Sequence, residues 1–122
     1  MKILLIDDEA DIRTLARISL SRIPDLEVLE AATGAEGLAL ATSERPDAVI
    51  LDVMMPGMDG PATLAALKAQ PTTAAIPVLF LTAKAMTTEL DRLHTLGAAA
   101  VLTKPFDPLS FPDQVLAGLR LH

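Results

Sequence analysis

The chain has no cysteine, tryptophan or tyrosine, and holds only three phenylalanines and two histidines in 122 residues. Without cysteine there is neither a disulfide nor a thiolate zinc site, and His94 and His122 match no ligand spacing. Any metal must therefore be a hard cation held by oxygen. The missing Trp and Tyr leave no aromatic platform on which bases could stack. Basic residues are also scarce, ten against sixteen acids for a net charge of −6. Phosphate-backbone affinity comes from Lys and Arg, so direct nucleic-acid binding is not expected. Long apolar runs are absent as well: Ile3 to Ile6 meets two acids at once, too short for a signal peptide or a membrane span. The expectation is a cytoplasmic protein without membrane contact. No low-complexity linker or repeat breaks the chain, so residues 1–122 are read as a single domain.

What is present centres on residues 47–60, Asp-Ala-Val-Ile-Leu-Asp-Val-Met-Met-Pro-Gly-Met-Asp-Gly. Ala48 to Leu51 are four consecutive apolar residues, as in a strand buried on both faces of a parallel sheet. Asp52 then lies at the strand's C-terminal end, where ligands gather in open α/β sheets. Ile3 to Ile6 is a similar run that ends in Asp7-Asp8-Glu9. From Ile12 the period becomes helical, with Ile12, Leu15, Ala16, Ser19 and Ile23 on one stripe and Arg13, Arg17 and Ser21 mostly off it. Leu26 to Leu29 reads as the second strand. Thr33-Gly34-Ala35-Glu36 has the form of a capping box.

After the Asp52 strand, Pro56 to Gly60 makes a loop and Leu64 and Leu67 mark a helix that Gln70-Pro71 ends. Pro77 to Thr82 is the fourth strand, its proline at the first position, where a missing donor matters least. Met86, Leu90, Leu93 and Gly97 share one helical face, with His94 a solvated residue beside it. Ala99 to Thr103 is a fifth strand leading into Lys104-Pro105. Asp107-Pro108 has the form of an N-cap and first-turn proline for a last helix running to about Leu119, and Pro112 predicts an irregular or 3₁₀ first turn. Five strands alternating with five helices give an α/β domain with a parallel sheet. Acids end strands one and three, a hydroxyl ends strand four and a lysine ends strand five, so four polar signals fall at one sheet edge.

These pieces, Ile6-Asp7-Asp8-Glu9, Leu51 to Gly60, Leu81-Thr82-Ala83 and Thr103-Lys104-Pro105-Phe106, closely resemble the receiver domains of two-component response regulators, of the chemotaxis-regulator kind. The resemblance spans the whole chain. It implies a flavodoxin-like (βα)5 fold with strand order 2-1-3-4-5, helices on both faces and a cis Lys104-Pro105 bond. It also implies that Asp52 accepts a phosphoryl group from a histidine kinase or a histidine phosphotransfer protein. With strands ~4.8 Å apart, Asp7/Asp8 and Thr82 lie one strand from Asp52, while strand five is roughly 10 Å away, a gap an extended Lys104 can span. Three carboxylates within about 5 Å repel by ~3 kcal/mol per pair at an effective dielectric of 20, which calls for a divalent cation, Mg²⁺ or Mn²⁺.

By resemblance the metal ligands are Asp8, Asp52 and the backbone carbonyl of Met54, with Asp7 acting through water. Lys104, Thr82 and the Ala83 amide meet the phosphoryl oxygens. The implied product is a signalling switch that dephosphorylates itself, not a metabolic enzyme, acting on a downstream protein target or a fused output domain. Departures from the family pattern are Val101, where many receivers carry an aromatic residue three positions before the lysine, and Met54 and Lys84 beside the attacking water. Valine has no ring to swing, so phosphorylation is expected to be read at the loops near Asp52, Ala83 and Lys104. Two other readings compete. An aspartyl-phosphate hydrolase would ordinarily carry an acid at position 54, and a degenerate receiver serving only as a protein-binding module would be expected to lose the acids or the lysine.

Overall fold

The computed structural model describes residues 1–83 and 86–120. Its elements alternate along the chain: β1 (Lys2–Ile6), α1 (Ala10–Leu20), β2 (Glu27–Ala31), α2 (Gly34–Glu44), β3 (Ala48–Asp52), α3 (Gly60–Ala69), β4 (Val78–Thr82), α4 (Thr87–Thr95), β5 (Ala100–Thr103) and α5 (Phe111–Arg120). The five strands form one parallel sheet in the order β2-β1-β3-β4-β5. This is the expected flavodoxin-like topology.

Strand alternation sorts the aliphatic runs onto two faces. Leu4, Ile6, Val49, Leu51, Val78 and Phe80 pack with Ala41 of α2, Leu64 and Leu67 of α3 and Leu93 of α4. Ile3, Leu5, Ile50, Leu79 and Leu81 pack on the other side with Ala16 and Leu20 of α1 and Phe111 and Val115 of α5. Because both faces are covered, β3 and β4 are buried along their whole length. That burial explains why their sequences run apolar without alternation.

Several boundaries and faces differ from expectation. The α1 stripe turns by a fraction of a turn, so Leu15 is exposed and Leu20 is fully buried. Met86 precedes α4 and is exposed, leaving Leu93 as that helix's buried anchor. Asp107 does not cap α5 directly. Its side chain accepts from the Leu109 amide (3.0 Å) and its carbonyl from the Ser110 and Phe111 amides, shaping a turn that precedes the helix. Pro112 then falls in the first turn of α5, where its missing N–H costs nothing. Thr33 caps α2 as expected, its hydroxyl accepting from the Glu36 amide at 3.1 Å. Pro77 lies just outside β4, yet its carbonyl accepts from the Val49 amide (3.0 Å) and so aligns β4 on β3. Lys84 and His122 lie outside the described residues.

Candidate functional site

Each polar group predicted at the sheet edge is delivered there by the strand that precedes it. Asp52 is the last residue of β3 and its side chain is buried, 4% exposed. Ile6 pairs with Leu51, so Asp7, one residue on, stands beside Asp52; it too is buried, at 3%. Thr82 ends β4 on the other side of β3 and is buried, and Ala83 after it is exposed. Lys104 follows β5, with its amide donating to the Thr82 carbonyl at 2.8 Å and its bond to Pro105 cis.

The lysine does cross the gap. Its Nζ lies 3.0 Å from Asp7 Oδ2, 3.3 Å from Asp52 Oδ1 and 3.4 Å from Glu9 Oε1. Asp7, Asp8, Glu9 and Asp52 each bring a carboxylate oxygen within 4.8 Å of the others. One ammonium therefore meets three carboxylates of a cluster of four. Glu9 was not singled out from sequence, because an exposed acid at a helix start is usually solvated; here its side chain forms no cap bond to α1 and turns to Lys104 instead.

The electrostatic consequence appears in the pKa values. Burial, then the neighbouring Asp7, raises Asp52 from 3.8 to about 6, while Lys104 pulls it back. Burial works against the Lys104 charge, yet the hydrogen bond and charge of Asp7, followed by those of Asp52, raise its pKa overall. The two oxygens of Asp7 are used differently. Oδ1 accepts from the Glu9 amide at 2.9 Å, whereas the buried Oδ2 takes no backbone donor and is met by the Lys104 ammonium at 3.0 Å. A buried carboxylate oxygen left in that state, turned towards three further acids, suits a site built for a cation.

The loop after Asp52 is fixed at both ends. Asp52 Oδ1 takes a long bond from the Met54 amide (3.4 Å), and the Gly60 amide donates to the Val53 carbonyl (2.9 Å). Asp59 caps α3 through the Ala62 amide at 2.9 Å. Gly60 is needed there for space, since a Cβ would lie 2.5 Å from the Asp52 carbonyl oxygen and 2.7 Å from Val53 Cα. The Met54 side chain points to solvent, 62% exposed.

A doubly covered parallel sheet with acids at the ends of β1 and β3 and a lysine reaching them from β5 defines a signalling receiver. The chain belongs to the response regulator receiver domain family, whose model matches residues 3–115. It is 40% identical to the alkaline phosphatase synthesis transcriptional regulatory protein PhoP of Bacillus subtilis over 98% of this chain and 48% of that protein. It is 44% identical to the response regulator PleD of Caulobacter vibrioides over 87% of this chain and 23% of that one. The chain thus spans half the length or less of these relatives. Among solved structures, the chemotaxis protein CheY4 of Vibrio cholerae superposes with a TM-score of 0.87 at 33% identity, covering 95% of this chain and 96% of that one. No helix among the described residues is long and apolar enough to cross a membrane.

Proposed function

We propose that this chain is a single, cytoplasmic phosphoryl-accepting receiver domain, with Asp52 as the acceptor of a phosphoryl group from a phosphohistidine of a histidine kinase or phosphotransfer protein. The observation that carries the reading is the buried Asp52 carboxylate, 3.3 Å from the Lys104 ammonium that also meets Asp7 at 3.0 Å. An Asp52 oxygen attacks phosphorus in line, the P–N bond of the phosphohistidine breaks, and its electron pair leaves with the imidazole nitrogen. Lys104 follows the charge from the carboxylate to the phosphoryl oxygens. Thr82 and the Ala83 amide, at the end of the neighbouring strand, serve another of those oxygens. Water later attacks phosphorus, the P–O bond to Asp52 breaks, and inorganic phosphate leaves.

Asp8, Asp52 and the Met54 carbonyl would hold Mg²⁺ directly, or Mn²⁺ in its place, and Asp7 would hold it through water. When bound, the metal neutralises charge on the transferring phosphoryl oxygens. Asp8 is exposed and Asp7 is buried against Lys104, which fits a direct role for the first and an indirect one for the second. The output, through a downstream protein or a fused domain, is a change in the charge and shape of this edge.

Intact-mass measurement after incubation with acetyl phosphate or phosphoramidate and Mg²⁺ tests the reading. The wild type should gain one phosphoryl mass, and Asp52→Ala or EDTA should abolish the gain. Full labelling of Asp52→Ala would overturn the acceptor assignment. No labelling of the wild type would leave a protein-binding module as the better description.

A further inference from the structure

Arg13 lies off the buried stripe of α1, where a solvated side chain is expected, yet its side chain is only 18% exposed. It bends back to the loop that carries the acids. Its Nη1 donates to the Asp7 backbone carbonyl at 2.7 Å, and its Nε donates to Glu30 Oε1 on β2 at 3.3 Å. Glu30 is held in turn by Arg17, one turn further along α1, at 3.2 Å. The Asp7 carbonyl needs such a partner. The parallel ladder gives Asp7 its last bond through the amide, to the Ala31 carbonyl at 3.1 Å, and the chain then leaves the sheet. With the carbonyl held, the 7–8 peptide plane is set, and with it the direction in which Asp8 leaves the loop.

We propose that Arg13 is a positioning residue for the acidic edge: its guanidinium, anchored on Glu30, holds the Asp7–Asp8 peptide so that Asp8 and Asp52 face a common cation. The role rests on the metal-binding reading given above. Two donors of one planar group are used at once, a geometry that arginine provides and lysine cannot. The inference also separates position from charge. A cation near four carboxylates opposes Mg²⁺ binding, so if charge were all that mattered, Arg13→Ala would tighten Mg²⁺ and Arg13→Lys would change nothing. If Arg13 positions the loop, both substitutions weaken Mg²⁺. Loss of an outer partner of a metal site lowers affinity by ~10–100-fold, and the lower end, about tenfold, is expected here because the bond is to backbone and not to a ligand oxygen.

Calorimetric Mg²⁺ titration of the folded wild type, Arg13→Ala, Arg13→Lys and Glu30→Gln provides the test, with amide hydrogen exchange of Asp8 and Glu9 measured without metal. The expected result is weaker Mg²⁺ binding in all three variants, least in Glu30→Gln, with faster exchange at Asp8 and Glu9. Glu30→Gln keeps the arginine and guards against a folding defect in the other two. Arg13→Lys with wild-type affinity and wild-type exchange would overturn the proposal, as would tighter binding by Arg13→Ala. If the wild type itself took up no Mg²⁺, the metal reading would fall, and the exchange rates alone would decide whether Arg13 holds the loop.

Discussion

Strands β3 and β5 belong to the same sheet and are built to different standards. Every residue of β3 is buried, with Ala48, Val49 and Leu51 wholly so, whereas no residue of β5 is buried and Thr103 is exposed. The difference follows from position. β3 is flanked by β1 and β4 and covered on both faces, while β5 is an edge strand with no neighbour beyond it, packed by α5 on one face and on the other by α4, a polar helix that buries only Leu93. Asp52, the proposed acceptor, thus hangs from a strand buried along its whole length, and its cationic partner Lys104 from one with no buried residue. Under the proposed function the central group would change from a carboxylate to a larger, more highly charged phosphoryl group, a change that needs one fixed and one adjustable component. Segments with little buried apolar surface open at low free-energy cost, so β5 and its lysine are the adjustable part.

The largest effect should come from relieving charge at the fixed end. Asp52 has its pKa raised to about 6 in the fold against 3.8 ordinarily, first by burial and then by Asp7. A carboxyl raised in this way binds its proton more tightly folded than unfolded. Metal-free stability therefore falls as pH rises from about 4 through 6, and the full penalty is present above that window. Asp52→Asn removes the penalty, so its advantage over the wild type should grow between pH 4 and pH 7 towards at most about 3 kcal/mol. The opposing pull of Lys104 is already contained in the value of about 6. Urea unfolding in EDTA at the two pH values measures it, and an advantage that does not grow with pH would refute the account.

A smaller and more direct comparison uses one substitution twice. Val49→Ala in β3 removes fully buried methyl groups and should cost about 2 kcal/mol, while Val101→Ala in β5, partly exposed, should cost about 1 kcal/mol or less. Equal losses in chemical denaturation would erase the distinction between the two strands. The smallest effect is spectroscopic. Val101 carries no ring that could turn inward when Thr82 shifts, so beryllofluoride, a phosphoryl mimic, should move amide resonances strongly at 52–60 and at Thr82 and Ala83, and weakly across 90–102. Large shifts over that last span would show that another side chain transmits the change through β5.

Much of this arrangement was legible in the sequence because its determinants are local. Short aliphatic runs ending in Asp7, Asp52 and Thr82 mark buried parallel strands and their C-terminal ends together. A lysine two strands from Asp52 is recognisable as long enough to reach it. The parts that escaped depend on rotation and on contacts across the fold. Whether Leu15 or Leu20 faces the core is decided by a fraction of a helical turn, which a stripe of mixed Leu, Ile and Ser does not specify. Arg13 and Glu9 look like solvated helix residues until Glu30 and Lys104, 17 and 95 positions away, are brought beside them.

The closeness of Gly60 to the Asp52 backbone has a consequence for recombining such domains. Since a side chain at position 60 would collide with the Asp52 carbonyl, the end of β3 and the start of α3 are fitted to each other as one piece. A chimaera assembled from two receivers should tolerate a crossover before Ala48 or after Ala69. One placed between Val53 and Gly60 would join β3 to a helix start shaped for a different chain path, and Asp52 itself would bear the misfit.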